Sequence, residues 1–158
     1  MMSSSMPEKP WIWQSETVIP SRTAAARATL DQLIAELARN GWPRCEIFRV
    51  RLAVEEALVN AIKHGNRQDP SKRIQVGFCL FTDLVRIEIV DEGRGFDPAT
   101  LPDCTDSEHL DAPCGRGVML MRSLMSRVQF NVPGNRVTLE KERNKEPELS
   151  PQEDRGKG

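Results

Sequence analysis

No apolar run in the chain approaches the roughly 18 residues that a membrane-crossing helix needs. The Met1-Met2-Ser3-Ser4-Ser5 start lacks the basic-then-apolar layout of an export signal. Charge of either sign is not in excess: the formal net charge is −1, which leaves no overall basic field to hold nucleic acid. Closely spaced cysteines are missing too. Cys45, Cys79, Cys104 and Cys114 lie scattered, so reduced thiols are expected rather than a disulfide framework. These absences predict a cytoplasmic protein with neither membrane nor nucleic acid as partner. At 158 residues the chain has the length of one domain with a substantial core.

What is present centres on Glu55-Glu56-Ala57-Leu58-Val59-Asn60-Ala61-Ile62-Lys63-His64-Gly65. This reads as the end of an amphipathic helix stopped by glycine. Residues four apart stack on one helix face, so Glu56, Asn60 and His64 form a polar ridge with Lys63 beside it. Val54, Ala57, Leu58, Ala61 and Ile62 supply the apolar side. A carboxylate one turn from an amide can take a proton while the amide oxygen ligates a hard cation. Mg²⁺ accepts so sparse a protein site when phosphates and waters complete its octahedron. The plain alternative is the wet face of a surface helix.

Two further stretches weigh against that alternative. Asp91-Glu92-Gly93-Arg94-Gly95-Phe96 directly follows a β-rich run. Cys114-Gly115-Arg116-Gly117-Val118-Met119-Leu120-Met121 opens a helical one, where free amides at a helix start favour phosphate. In each, paired glycines let backbone approach a ligand closely.

The remaining order is strand, helix, helix, hairpin, loop, helix, hairpin. Trp11 to Ile19 alternates as a strand, with Pro20 ending it and Ser21 capping a helix to about Arg39. A second helix spans about Pro43 to His64, with Gly65 as a left-handed cap. Ile74–Phe81 and Leu84–Val90 predict one hairpin, Val128–Val132 and Val137–Glu140 another. Between them, Asp97 to Pro113 has three prolines and no period, the mark of a mobile lid, and a helix follows from about Gly117 to Leu124. Met119, Leu120, Met121, Leu124 and Met125 are expected in the core. Residues 1–10 and 143–158 read as flexible ends around one domain over 11–142. The pattern predicts an α+β two-layer sandwich, a mostly antiparallel sheet with helices on one face.

The three boxes, in this order, resemble the GHKL ATP-binding superfamily: an N box E-x-x-x-N, a first glycine box D-x-G-x-G, and a second, G-x-G, before a helix. The E-A-x-x-N-A-x-x-H-G form of the first box, in a domain of this size, resembles the anti-sigma factor serine kinases of the RsbW and SpoIIAB type, over roughly residues 11 to 142. The resemblance implies the Bergerat fold, with ATP and Mg²⁺ between sheet and helices. It implies Glu56 as general base, Asn60 as Mg²⁺ ligand and Asp91 as acceptor for the adenine amino group. Gly93 and Gly95 would admit the nucleotide, and Phe96 would cover the base or fill core. Gly115, Arg116, Gly117 and Val118 would wrap phosphate, and Lys63 and His64 are further phosphate candidates.

By the same resemblance the partners are a sigma factor and a STAS-domain anti-anti-sigma protein phosphorylated on serine, and the chain is a homodimer. The Trp11-to-Ile19 strand is a candidate sheet edge, with Trp11 and Trp13 as interface anchors or core caps.

The chain departs from the pattern in two places. Pro113 stands where such lids can carry an arginine facing the γ-phosphate, leaving Arg116 or Arg94 as replacements. Gly134-Asn135-Arg136-Val137-Thr138-Leu139 stands where G-T-x-V-x-L is usual. Three rival readings follow. A non-catalytic ATP-gated module fits the missing arginine. The ATP-binding part of a histidine kinase would need its phosphoacceptor elsewhere, since only His64 and His109 exist. Cys104, His109 and Cys114, spaced five apart, would form a zinc cluster only with wider spacing than zinc sites use and a fourth ligand.

Overall fold

The computed structural model describes residues 10–94, 115–132 and 134–143. The elements run β1 (Trp13–Pro20), α1 (Thr23–Arg39), α2 (Arg44–Val59), a π turn (Asn60–Gly65), β2 (Arg73–Leu80), β3 (Leu84–Val90), α3 (Gly115–Leu124), β4 (Arg127–Phe130) and β5 (Arg136–Glu142). The five strands form one antiparallel sheet in the order β1-β2-β3-β5-β4. Strand alternation sends one set of side chains inward. Ile74, Val76, Phe78 and Leu80 of β2, Val85, Ile87 and Ile89 of β3, and Val137 and Leu139 of β5 are buried against Leu30, Leu33 and Leu37 of α1 and Val50, Val54 and Leu58 of α2. Each such side chain contributes about 1.5–3 kcal/mol on burial. The opposite face is wet and laced by ion pairs, Arg86 and Arg127 to Glu140 and Arg136 to Glu88.

This is the α+β sandwich expected, with β1 at an edge. Trp13 stacks on Phe78 with ring centroids 6.0 Å apart, whereas Trp11 is exposed. Some local expectations change. Ser21 does not cap α1: its amide donates to Lys72 O at 3.1 Å, extending the β1 side of the sheet, and the cap position falls to Arg22 without a side-chain bond. Met119 is exposed: α3 turns Val118, Met121 and, just beyond its end, Met125 into the core, with Leu124 partly buried against it.

One buried ion pair ties helix to sheet. The alternation of β5 carries Lys141 to the core face, where its Nζ lies 2.7 Å from Glu46 Oε1 in the first turn of α2. The contact is one of opposite charge rather than an aligned hydrogen bond. Next to it, the Arg143 guanidinium lies over Trp42 and donates to Asn40 O and Gly41 O, so the end of β5 also holds the α1–α2 corner.

Candidate functional site

The polar ridge sits where α2 changes its winding. The helix is α-helical to Val59 and continues as a π turn through Gly65, where Asn66 N–H donates to Ala61 O at 2.8 Å, five residues back. Such widened turns collect at functional sites because they re-aim side chains that a regular helix would place elsewhere. Here the change begins at Asn60. Gly65 is not the left-handed cap expected of it; positive φ falls instead on Arg67 (55°) and Gln68 (59°).

Gly65 has a steric reason to be glycine. A Cβ built there would overlap the Asp91 carboxyl group, and a Cβ on Gly93 would overlap the Gly65 carbonyl oxygen. The first glycine box thus lies directly against the end of the N box. The second reaches the same place from α3: a Cβ on Gly117 would stand 2.9 Å from Glu56 Oε1 and 3.6 Å from Asn60 Nδ2. Three stretches distant in sequence therefore meet around Glu56, Asn60 and Asp91.

Asp91 is held on its backbone and its side chain. Its N–H donates to Asn135 O at 2.9 Å, and its own carbonyl accepts from Asn135 Nδ2 at 3.3 Å. Its Oδ1 accepts the Gly93 N–H at 2.7 Å, which leaves acceptor capacity on the carboxylate for a ligand. Burial pushes the carboxyl up from the ordinary aspartate range, against the opposing pull of the Gly93 amide and the Lys72 ammonium. A shallow recess, open to solvent, is lined by Ala57, Asn60, Ala61, Ile89, Asp91 and Met121 together with Phe130, Gly134, Asn135, Arg136 and Val137. Apolar walls around one carboxylate and a few amides suit a flat heteroaromatic base. The amide of Asn60 beside the Glu56 carboxylate would suit a hydrated cation whose other ligands are not protein groups.

The other expected residues separate. Glu55 and Lys63 are exposed and line a groove between α1 and α2, away from the recess; Glu56 alone of the two glutamates reaches Gly117 of α3. His64 is half-buried in the π turn. The helix begins at Gly115, earlier than Gly117, and Arg116 is exposed while the Val118 side chain is buried in the core, so only its backbone remains for a phosphate. Gly95, Phe96, the lid and the Cys104, His109 and Cys114 cluster lie outside the described residues; among those described, no group of metal-binding side chains occurs.

Two features escaped sequence reading. Asn131 Nδ2 donates to Asn135 Oδ1 at 2.9 Å, so a relay of amides stands behind Asp91, where the usual motif has threonine. Asn66 is the other, fully buried beneath the same turn. The sequence signal for the first was the departure at Gly134-Asn135; for Asn66 it was only the place beside Gly65.

Comparisons with known proteins point to one family. Residues 19–141 match the family model described as histidine kinase-like ATPase domain. The chain is 30% identical over 118 residues to the serine-protein kinase RsbW of Oceanobacillus iheyensis, covering 71% of this chain and 73% of that protein. It is 31% identical over 116 residues to the serine-protein kinase RsbW of Bacillus subtilis, covering 70% and 71%, and 30% identical over 121 residues to an anti-sigma F factor of Heyndrickxia coagulans, covering 74% and 75%. Among solved structures, the RsbU and RsbW domains of a Mycobacterium tuberculosis protein share the fold, with a TM-score of 0.58 at 23% identity over 84% of this chain and 32% of that longer one. No helix among the described residues is long and apolar enough to cross a membrane. The chain belongs to the histidine kinase-like ATPase domain family, and within it to the RsbW serine-protein kinases.

Proposed function

We propose that the chain binds ATP with Mg²⁺, transfers its terminal phosphoryl group to a serine of a STAS-domain antagonist, and in the unphosphorylated complex cycle holds a sigma factor. The observation that carries this reading is the convergence of Gly117 on Glu56 and Asn60, and of Gly65 on Asp91, around one recess. Asp91 accepts a hydrogen bond from the exocyclic amine of the base, while Ala57, Ala61, Ile89 and Met121 exclude water from its faces. Asn60 would hold Mg²⁺ through its side-chain oxygen, and the cation would neutralise charge on the phosphates. Glu56 takes the proton of the serine hydroxyl as its oxygen bonds to phosphorus and the bond to ADP breaks. Phosphoryl transfer asks mainly for positioning and charge neutralisation, which this set provides. The phosphate adds about −1.5 to −2 charge to the antagonist and releases it by repulsion and desolvation.

The groove between α1 and α2, lined by Arg27, Arg51, Glu55 and Lys63 around Leu30 and Leu58, adjoins the helix that carries Glu56 and suits an acidic protein partner. The edge strand β1 leaves backbone groups for pairing with a second copy, with exposed Trp11 beside it. A homodimer on that edge is checked by light scattering, where a monomer at micromolar concentration removes it.

Transfer of radiolabel from ATP to a purified STAS antagonist tests the whole reading. Label on the antagonist with wild type and none with Glu56→Gln supports it. Nucleotide binding without transfer leaves a non-catalytic gated module. Asn60→Ala is expected to lose the Mg²⁺-dependent part of ATP affinity.

A further inference from the structure

The side chain of Asn66 has no access to solvent, yet it belongs to none of the three boxes. Its Oδ1 accepts the Glu92 N–H at 2.8 Å; its Nδ2 donates to Arg73 O at 3.1 Å and approaches Ser21 Oγ at 3.4 Å. Its backbone N–H closes the π turn on Ala61 O, and its carbonyl accepts the Asp69 N–H at 3.0 Å. One amide therefore joins the end of the N box, the entry to α1, the start of β2 and the residue that follows Asp91. Asn66 Oδ1 is thus the partner of the Glu92 N–H, in the residue directly after Asp91, whose carboxylate lies against Gly65.

We propose that Asn66 is a positioning residue for nucleotide recognition: it fixes the Asp91-Glu92-Gly93 turn against the π turn, so that the Asp91 carboxylate meets the base at one place and angle. The inference rests on the reading of Asp91 as the base acceptor. It predicts that Asn66 governs the choice between ATP and GTP without touching either. A buried amide that merely supported the fold would lower stability and both affinities together. A residue that aims Asp91 lowers ATP affinity selectively, because GTP presents an acceptor to Asp91 and gains nothing from its alignment.

The side chain also supplies its own chemical test. In Asn66→Asp the oxygen facing Glu92 N–H is retained, but the second oxygen now confronts the Arg73 carbonyl. Only a protonated carboxyl can donate there, and complete burial favours protonation. The preference for ATP in that variant should thus recover as pH falls, over a range above that in which half-buried Asp91 is itself protonated. Wild type has the opposite trend, losing preference on acidification.

The experiment measures Kd for ATP and GTP by calorimetry on the full chain, with wild type and Asp91→Ala first. Equal ATP and GTP affinity in wild type overturns the assignment of Asp91 and this inference with it. Given a wild-type preference that Asp91→Ala abolishes, Asn66→Ala is expected to reduce the ATP-to-GTP affinity ratio about tenfold, the size of one buried hydrogen bond left unmade. An unchanged ratio in Asn66→Ala overturns the proposal while leaving Asp91 in place. Should Asn66→Ala not fold, Asn66→Asp decides by the sign of its pH trend: recovery with acid supports the proposal, and a trend parallel to wild type overturns it.

Discussion

The α-carbon of Gly65 lies so close to the Asp91 carboxyl group that a methyl on it would occupy the space of the carboxylate. The N box and the first glycine box are thus in steric contact, and the smallest side chain is the condition for it. Gly65→Ala should displace Asp91 and weaken ATP binding by tenfold or more, about 1.4 kcal/mol at least. Gly77 is the control. A Cβ there meets only Glu16 Cγ at 3.9 Å, so Gly77→Ala should stabilise the chain by about 0.4–1 kcal/mol in urea titration and leave ATP affinity unchanged. Equal affinity loss in both variants would refute the steric account.

Asp91 should be the residue through which acid weakens nucleotide binding. A charge-assisted bond from the base to its carboxylate would contribute about 1.5–3 kcal/mol, so Asp91→Ala should cost about 10- to 150-fold in ATP affinity. Because burial raises its pKa above the ordinary 3.8, the carboxylate is lost earlier on acidification than an exposed aspartate would be. For stability the sign reverses. The folded state holds this proton more tightly than the unfolded chain, so Asp91 contributes stability below the ordinary pKa, and loses it as pH rises through the raised one. Melting of Asp91→Asn against wild type across that interval, without nucleotide, checks the second effect; calorimetry with ATP checks the first.

Glu56 and Gly117 should fail in related ways. Glu56→Gln should bind ATP normally while phosphoryl transfer falls by about 10²–10⁴, the usual share of a general base. Gly117→Ala sets a methyl 2.9 Å from Glu56 Oε1, and the flexible carboxylate must swing away. Transfer should fall in that variant as well. Glu55→Gln, exposed in the neighbouring groove, should transfer at the wild-type rate; a loss there equal to that of Glu56→Gln would reassign the base.

The Lys141–Glu46 pair should be costly to break and cheap to replace. Lys141→Met leaves a carboxylate stranded in the core and should cost about 3–5 kcal/mol in denaturant unfolding. Lys141→Met with Glu46→Leu removes both charges and should return most of that stability. A double variant as unstable as the single one would show that the pair does more than neutralise itself.

Much of this was legible because the signals are local. β3 runs Leu84–Val90 as expected, since Val85-Arg86-Ile87-Glu88-Ile89 alternates cleanly, and α1 ends at Arg39 as expected. The three boxes could be found because each is a short run of chemically restricted residues. What stayed hidden depends on contacts between distant segments. Asn60 to Gly65 reads as ordinary helix, and nothing in Ala61-Ile62-Lys63 announces a π turn; tertiary bonds from Asn66 to β2 and to Glu92 draw it out. Gly65 looks like a cap until Asp91 is seen against it. Lys141 looks like the solvated end of a strand until the register Val85↔Lys141 places it over α2.

The pairing of β3 with β5 runs unbroken from Leu84↔Glu142 to Val90↔Arg136. Both ends of everything between those strands are pinned by backbone bonds that do not depend on what the connection contains. Twenty residues separate Arg94 from Gly115. Doubling that length would add only about 0.6 kcal/mol to the closure entropy. Evolution, or an engineer, can therefore lengthen, shorten or exchange that connection while the sheet beneath keeps its register.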